Sequence, residues 1–223
     1  MQISVQLVVS VLLSAIAAYL IGSINFALVI SGAVYKKDIR NYGSGNAGMT
    51  NMLRTFGKLP ALFTLIGDLG KGVVAILLSR LLFYLFMGVD SFLLGSYIAG
   101  VFALLGHVFP IYYGFKGGKG ILVTAGILLM IDPIVCGIIF GVFLIVFACS
   151  RIISLSSISA AAAYPIATLV LRLVQHAAVH TVVLHTLLSA MIGALVIYLH
   201  RGNIKRLLAG EEPKIGQKSK HKN

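Results

Sequence analysis

Residues 121–149 read ILVTAGILLMIDPIVCGIIFGVFLIVFAC. Asp132 is the single charge in this run, and Asp132-Pro133 is the point at which a helix is expected to stop, because a proline pushes the residue before it out of the α region. So long and so apolar a segment cannot face water, so lipid must be part of its solvent. The whole chain agrees. It has 223 residues, 59% of them apolar and 11% charged, whereas a soluble domain carries about 25% charged residues. Disorder, a collagen-like repeat and a disulfide scaffold are excluded by composition. Cys136 and Cys149 both lie in this run and read as packing residues, not as a disulfide or metal framework.

Working outward, further apolar runs cover 3–33, 59–88, 92–113, 155–171 and 182–199. The second is interrupted by Gly67-Asp68-Leu69-Gly70-Lys71-Gly72. Between the runs the charge is one-sided: the net +12 comes from 18 Lys and Arg against 6 Asp and Glu. Lys36, Lys37, Arg40, Arg54 and Lys58 fall in 34–58, Lys116 and Lys119 in 114–120, and Arg151 after the quoted run. Arg201, Lys205, Arg206, Lys214, Lys218, Lys220 and Lys222 fall in the tail, while the alternate turns hold Asp90, Asp132 or no cation at all. By the positive-inside rule the basic loops and tail are cytoplasmic and the N-terminus is outside. A single crossing by 121–149 would put Arg151 outside; two short crossings meeting at Asp132-Pro133 keep it inside. The first half is also short enough for a re-entrant or tilted element. The expectation is an all-α, polytopic integral membrane protein of about seven helices. It forms one domain over 1–223, in which 200–223 is a basic cytoplasmic tail. The excess charge then suits anionic lipid headgroups or a small anionic substrate, and nucleic acid is not the expected partner.

Ala15-Ile16-Ala17 faintly resembles a signal-peptidase site, but Met1 to Ser10 carries no Lys or Arg, so a retained first span is expected.

Four segments carry chemistry. Gly43-Ser44-Gly45-Asn46-Ala47-Gly48-Met49-Thr50-Asn51, followed by Arg54, alternates glycines with small polar residues. Free N–H groups in such a loop can form an anion-binding nest, and Arg54 adds a fork for phosphate oxygens. A flexible polar turn is the plain alternative. Gly114-Phe115-Lys116-Gly117-Gly118-Lys119-Gly120 is not a Walker A loop, because Tyr113 stands where a glycine is required and Gly120 follows the lysine. Lys119 among glycines suits an oxyanion or phosphate clamp more than a nucleotide site, although a basic loop also obeys the positive-inside rule. Ser154, Ser156 and Ser157 open a helix, where serines cap N–H groups and the helix end attracts anions. His200 and Asn203 are spaced i, i+3 and share a face if the last helix continues; a basic interfacial segment is the alternative. Asp68 and Lys71 have the spacing of an intramembrane ion pair, and His107 stands at a span end to cap or line a site. His176, His180 and His185 have no accompanying carboxylate or cysteine, so no metal is expected. Gly137 and Gly141 form a GxxxG that reads as helix packing.

Taken together, these motifs resemble the bacterial acyl-phosphate:glycerol-3-phosphate acyltransferase family, PlsY. The resemblance begins at Gly22-Ser23-Ile24, runs through 43–51, Asp68 and Lys71, 107–120 and 154–158, and ends at 200–212. It implies a seven-helix inner-membrane enzyme without a cofactor. That enzyme moves an acyl chain from acyl phosphate to the sn-1 hydroxyl of glycerol 3-phosphate, giving lysophosphatidic acid and phosphate. Carried over by position, Ser44, Arg54, Lys119 and a serine of 154–157 line the phosphate pocket, and Gly45, Asn46, Gly118, Ser154 and Ser157 count with them as substrate-binding residues. Asn46 supports the first loop, His200 and Asn203 stand beside the reacting groups, and Glu212 orders the tail. The chain departs from the family pattern at Asn25, where proline is usual, at Ala47-Gly48-Met49, at Ile121-Leu122-Val123-Thr124 and at Gly210-Glu211-Glu212.

The chemistry fits the residue types. An acyl phosphate is an activated anhydride, so the work is alignment, phosphate binding and oxyanion stabilisation. No Gly-x-Ser-x-Gly occurs, and no histidine is followed four residues later by aspartate. Asn203 is neutral and can orient a hydroxyl, not deprotonate it. Direct transfer is favoured over an acyl-enzyme on Ser44. A membrane transporter or binding protein for an organic phosphate is the alternative function.

Overall fold

The computed structural model describes residues 4–88 and 91–215. Asp90, Lys218, Lys220 and Lys222, used above for orientation, lie outside these residues. The described chain is helical, with no strand among the described residues. It divides into two compact units, Met1–Asp132 and Pro133–Asn223. Among the described residues six segments are long and apolar enough to cross a bilayer, and Ile121–Ile131 is a shorter apolar helix.

The first unit contains α1 (Val5–Ser23), α2 (Phe26–Tyr35), α3 (Met49–Phe56), α4 (Lys58–Met87), α5 (Phe92–Val108) and α6 (Ile121–Ile131). The apolar run 3–33, read as one span, is two helices. The break has a local cause: Asn25 caps α2 by accepting the Leu28 N–H at 3.1 Å, so its own backbone leaves the helical region. A proline at the same place would stop α1 but could offer no such cap. α1 packs on α5 and α4, and α4 packs on α5 and α6. At 1.5 Å per residue, α4 spans about 45 Å.

Small residues set these crossings. A Cβ on Gly22 would collide with the Ala103 carbonyl, and one on Gly106 with that of Tyr19, so α1 and α5 meet backbone to backbone. Gly72 and Gly126 do the same for α4 and α6, a Cβ on Gly72 falling 2.7 Å from the Val123 carbonyl. Where lipid is as apolar as a side chain, such close approach is a principal source of helix association. Arg80 adds polar ties, donating Nε to Ser96 Oγ at 2.9 Å and Nη2 to the Met130 carbonyl at 2.6 Å.

The second unit contains α7 (Pro133–Ser150), α8 (Ile153–Val174), α9 (Val179–Leu199) and α10 (Arg201–Leu208). α8 packs on both α7 and α9. The break at Asp132-Pro133 falls where the sequence places it. The GxxxG of α7 does not pack as expected: no atom outside the helix's own backbone stands within 4 Å of a Cβ at Gly137 or Gly141. The close approach lies instead at Gly193, where a Cβ would fall 2.6 Å from the Ala161 carbonyl. Ile145 and Met191 are about two-thirds exposed, as lipid-facing side chains are.

Candidate active site

In the first unit the glycine loop 43–48 is a built turn, not a flexible one. Gly43 and Gly45 take φ of +58° and +71°, which only glycine adopts cheaply. Ile39, Ala47 and Met52 are fully buried beneath it. Asn51, almost wholly buried at the start of α3, wires the loop together. Its Oδ1 accepts the Ser44 N–H at 2.9 Å. Its Nδ2 donates toward the Ile39, Tyr42 and Asn46 carbonyls at 3.2, 2.9 and 3.1 Å. Asn25 Nδ2 reaches the Ala47 carbonyl at 3.2 Å.

This wiring corrects the nest expected from the sequence. The N–H groups of Ser44, Gly45 and Gly48 are engaged inside the loop, by Asn51 Oδ1, the Tyr42 carbonyl and the Asn46 carbonyl. An anion here would depend more on side chains than on a row of open amides. Ser44 and Gly45 are exposed, Asn46 is half-buried, and Arg54 is exposed on α3.

The second glycine loop is tied to the end of α5. Gly117 N–H donates to the Val108 carbonyl at 3.1 Å and Gly118 N–H to the His107 carbonyl at 3.2 Å. Gly114 and Gly120 take positive φ of +64° and +80°. Gly118 is buried and Lys119 half-buried. Arg40 joins the two loops. Its guanidinium pairs with Asp38 at 2.7 Å and donates Nη1 to the Tyr113 and Lys116 carbonyls at 2.9 and 3.1 Å. The Arg40 hydrogen bond holds the Asp38 carboxyl below its usual range. Ser44, Gly45, Asn46, Gly118 and Lys119 therefore lie in two loops that Arg40 ties together, and Arg54 stands on α3 after the first of them.

In the second unit Glu212 brings together two of the remaining candidates, Ser154 and Asn203. Its Oε1 accepts from Ser154 Oγ and from Asn203 Nδ2, both at 2.7 Å, and its Oε2 from Arg206 Nε at 2.7 Å. A carboxylate only accepts, so the Asn203 amide must present nitrogen to it. Burial pushes the Glu212 carboxyl up. The hydrogen bonds from Asn203, Ser154 and Arg206, with the Arg206 charge, outweigh burial and hold it below its ordinary value.

His200 is the hinge between α9 and α10, buried, with Nδ1 2.8 Å from the Val196 carbonyl. A carbonyl cannot donate, so Nδ1 carries hydrogen and in the neutral ring the lone pair is on Nε2. The last helix does not run straight through, but Ile204 N–H still donates to the His200 carbonyl at 2.9 Å and Asn203 stays buried. Ser154 and Ser157 are buried in the first turns of α8. The capping role expected of these serines is not taken up: the N-cap is Ile152 with no side-chain cap bond, and Ser156 Oγ donates to the Ile152 carbonyl at 2.9 Å.

Asn51, Arg40 and Asp38 have roles in tying the loops that their residue types alone do not announce. Their signal is faint: an asparagine just after a glycine loop whose carbonyls need donors, and an Asp-x-Arg before it. Asp68 and Lys71 do pair, at 3.0 Å and deeply buried. Among the described residues no group of three His, Cys, Asp or Glu is placed to hold a metal. His185 instead accepts Arg172 Nε on Nδ1 at 3.0 Å.

Fold and loops together define an all-helical integral membrane protein that carries two glycine-rich polar loops. The glycerol-3-phosphate acyltransferase family profile matches residues 12–210, and the chain belongs to that family of acyltransferases. A glycerol-3-phosphate acyltransferase of Clostridioides difficile is 39% identical over 209 residues, 94% of this chain and 97% of the relative. One of Cupriavidus metallidurans is 42% identical over 209 residues, 94% and 98% of the two chains. The crystal structure of PlsY, an integral membrane glycerol 3-phosphate acyltransferase, is similar in its glycerol 3-phosphate form with a TM-score of 0.76 at 37% identity, covering 93% of this chain and 96% of that one. In its lysophosphatidic acid form the TM-score is 0.74 at 35% identity, with the same coverage.

Proposed function

We propose that this chain transfers an acyl group from acyl phosphate to the sn-1 hydroxyl of glycerol 3-phosphate, releasing lysophosphatidic acid and phosphate. It does so as a single acyltransferase domain over 1–223 in the bacterial inner membrane, with seven crossings, the N-terminus outside, and the site and basic tail on the cytoplasmic side against anionic lipid. The observation that carries the reading is the pair of hydrogen-bonded glycine loops bearing Ser44 and Lys119, with Arg54 on the adjoining α3, in a chain of this family. They supply cations and polar groups where two phosphates must be held, with Gly45, Asn46 and Gly118 giving the loops their close approach and shape.

The hydroxyl attacks the acyl carbonyl, the C–O bond to phosphate breaks, and the hydroxyl proton goes to the departing phosphate. His200 Nε2 accepts a hydrogen bond from the attacking hydroxyl, and Asn203, its amide fixed by Glu212, orients it. Ser154 and Ser157 contribute hydroxyl groups to substrate phosphate. No metal or nucleotide enters this scheme. Alignment of two bound reactants and oxyanion stabilisation supply the acceleration.

Two variants test the assignment. Lys119→Ala abolishes transfer while the protein still inserts and purifies. Asn203→Ala lowers turnover more than donor binding. Full activity in Lys119→Ala removes the phosphate clamp, and an unchanged turnover number in Asn203→Ala removes Asn203 from the site.

A further inference from the structure

Lys71 lies deep in α4 with three N–H donors and three acceptors around it. Its Nζ is 2.7 Å from the Ile24 carbonyl, 3.0 Å from Asp68 Oδ1 and 2.8 Å from His107 Nδ1. The Ile24 carbonyl is one that the break between α1 and α2 removes from the helical ladder, so the ammonium completes the broken end. Asp68 Oδ1 stands 3.5 Å from the Phe26 N–H on the other side of the break and 3.8 Å from His107 Nδ1. An ammonium only donates, so His107 Nδ1 accepts and its hydrogen sits on Nε2.

That Nε2 edge is turned to the loops. A Cβ on Gly118 would collide with His107 Nε2 and fall 2.7 Å from the Ala47 carbonyl. The backbone of His107 continues the contact, because its carbonyl accepts the Gly118 N–H and would collide with a Cβ on Gly117. One imidazole is therefore wedged where the first loop, at Ala47, and the second, at Gly118, come together. All three side chains are buried, at 2, 5 and 3% exposure for Asp68, Lys71 and His107, and none belongs to the loops that they serve.

We propose that Asp68, Lys71 and His107 are positioning residues for the acyl transfer: Lys71 holds the His107 ring, and the ring sets the spacing of the two phosphate-binding loops. The proposal rests on the functional reading above. A buried ion pair is weak support for stability, since desolvation of both charges offsets their attraction. It does fix geometry when every donor is matched, as here.

Kinetics of His107→Ala, Gly118→Ala and the double variant test this, with thermal melts followed by circular dichroism. His107→Ala is expected to lower kcat/KM by about 100-fold, the loss that a misplacement near 1 Å brings. The loss shows as a raised KM for glycerol 3-phosphate or acyl phosphate, in protein that melts somewhat lower but still cooperatively and above the assay temperature. Gly118→Ala does the same by pushing the ring away. The two losses combine to clearly less than their product, because in the double variant the new methyl no longer meets the ring and crowds only the Ala47 carbonyl.

Losses that multiply in the double variant overturn the proposal. So does a lower kcat with both KM values intact, which is the mark of fewer folded molecules. Lys71→Met alone strands the Asp68 carboxylate and can prevent folding. Asp68→Asn/Lys71→Met removes both charges, and is expected to fold and to raise the same KM as His107→Ala; wild-type KM values there count against Lys71. Wild-type protein that forms no lysophosphatidic acid overturns the functional reading and this proposal with it. An active wild type with an unaltered His107→Ala overturns this proposal alone.

Discussion

Glu212 is one carboxylate that fixes three side chains, Ser154, Asn203 and Arg206. Hydrogen bonds to a charged group are worth about 1.5–3 kcal/mol each, so Glu212→Gln should loosen the tail and misorient the Asn203 amide together. The sign of the pH effect follows from the depressed carboxyl. Burial raises it, but the Asn203, Ser154 and Arg206 partners hold it lower folded than unfolded. Its stabilisation is therefore complete above the ordinary carboxylate range and is lost as pH falls through the folded value. Limited proteolysis of the tail in detergent is expected to accelerate on acidification in the wild type. In Glu212→Gln it should be fast and nearly pH-independent. Equal pH dependence in both would show that another group orders the tail.

The elements show what a sequence can and cannot disclose. The long apolar runs and the stop at Asp132-Pro133 were legible because length, hydropathy and proline geometry are local properties. The break at Ile24–Asn25 was not, because it depends on an asparagine cap and on a lysine arriving from α4. The two glycine loops were visible as composition. Their engaged N–H groups and the tie between them were not, since Asn51 accepts from Ser44 and Arg40 donates to the Tyr113 and Lys116 carbonyls across turns that have no fixed spacing. GxxxG in α7 misled for a related reason: the motif permits close packing, but a neighbouring helix must be there to use it, and it is Gly193 that has one. Asn203 and His200 were legible as an i, i+3 pair, whereas the carboxylate that sets the amide comes from beyond the helix.

For the whole molecule, orientation is the first thing to establish. The topology proposed from the charge distribution has Lys116 in the cytoplasm and His176 outside. With Cys136 and Cys149 changed to serine, Lys116→Cys and His176→Cys can be labelled one at a time with a membrane-impermeant maleimide. In intact cells His176→Cys is expected to react and Lys116→Cys only after permeabilisation. The reverse pattern would invert the proposed topology.

The central claim is that a chain built as helices in lipid, with two rigid loops for phosphate, performs acyl transfer and not transport or simple binding. The most direct measurement gives the purified wild-type protein in detergent both acyl phosphate and glycerol 3-phosphate, and follows released phosphate and lysophosphatidic acid. The two products are expected in equal amounts, each requiring both substrates. Folded protein that yields neither, or phosphate released without lysophosphatidic acid, would contradict it.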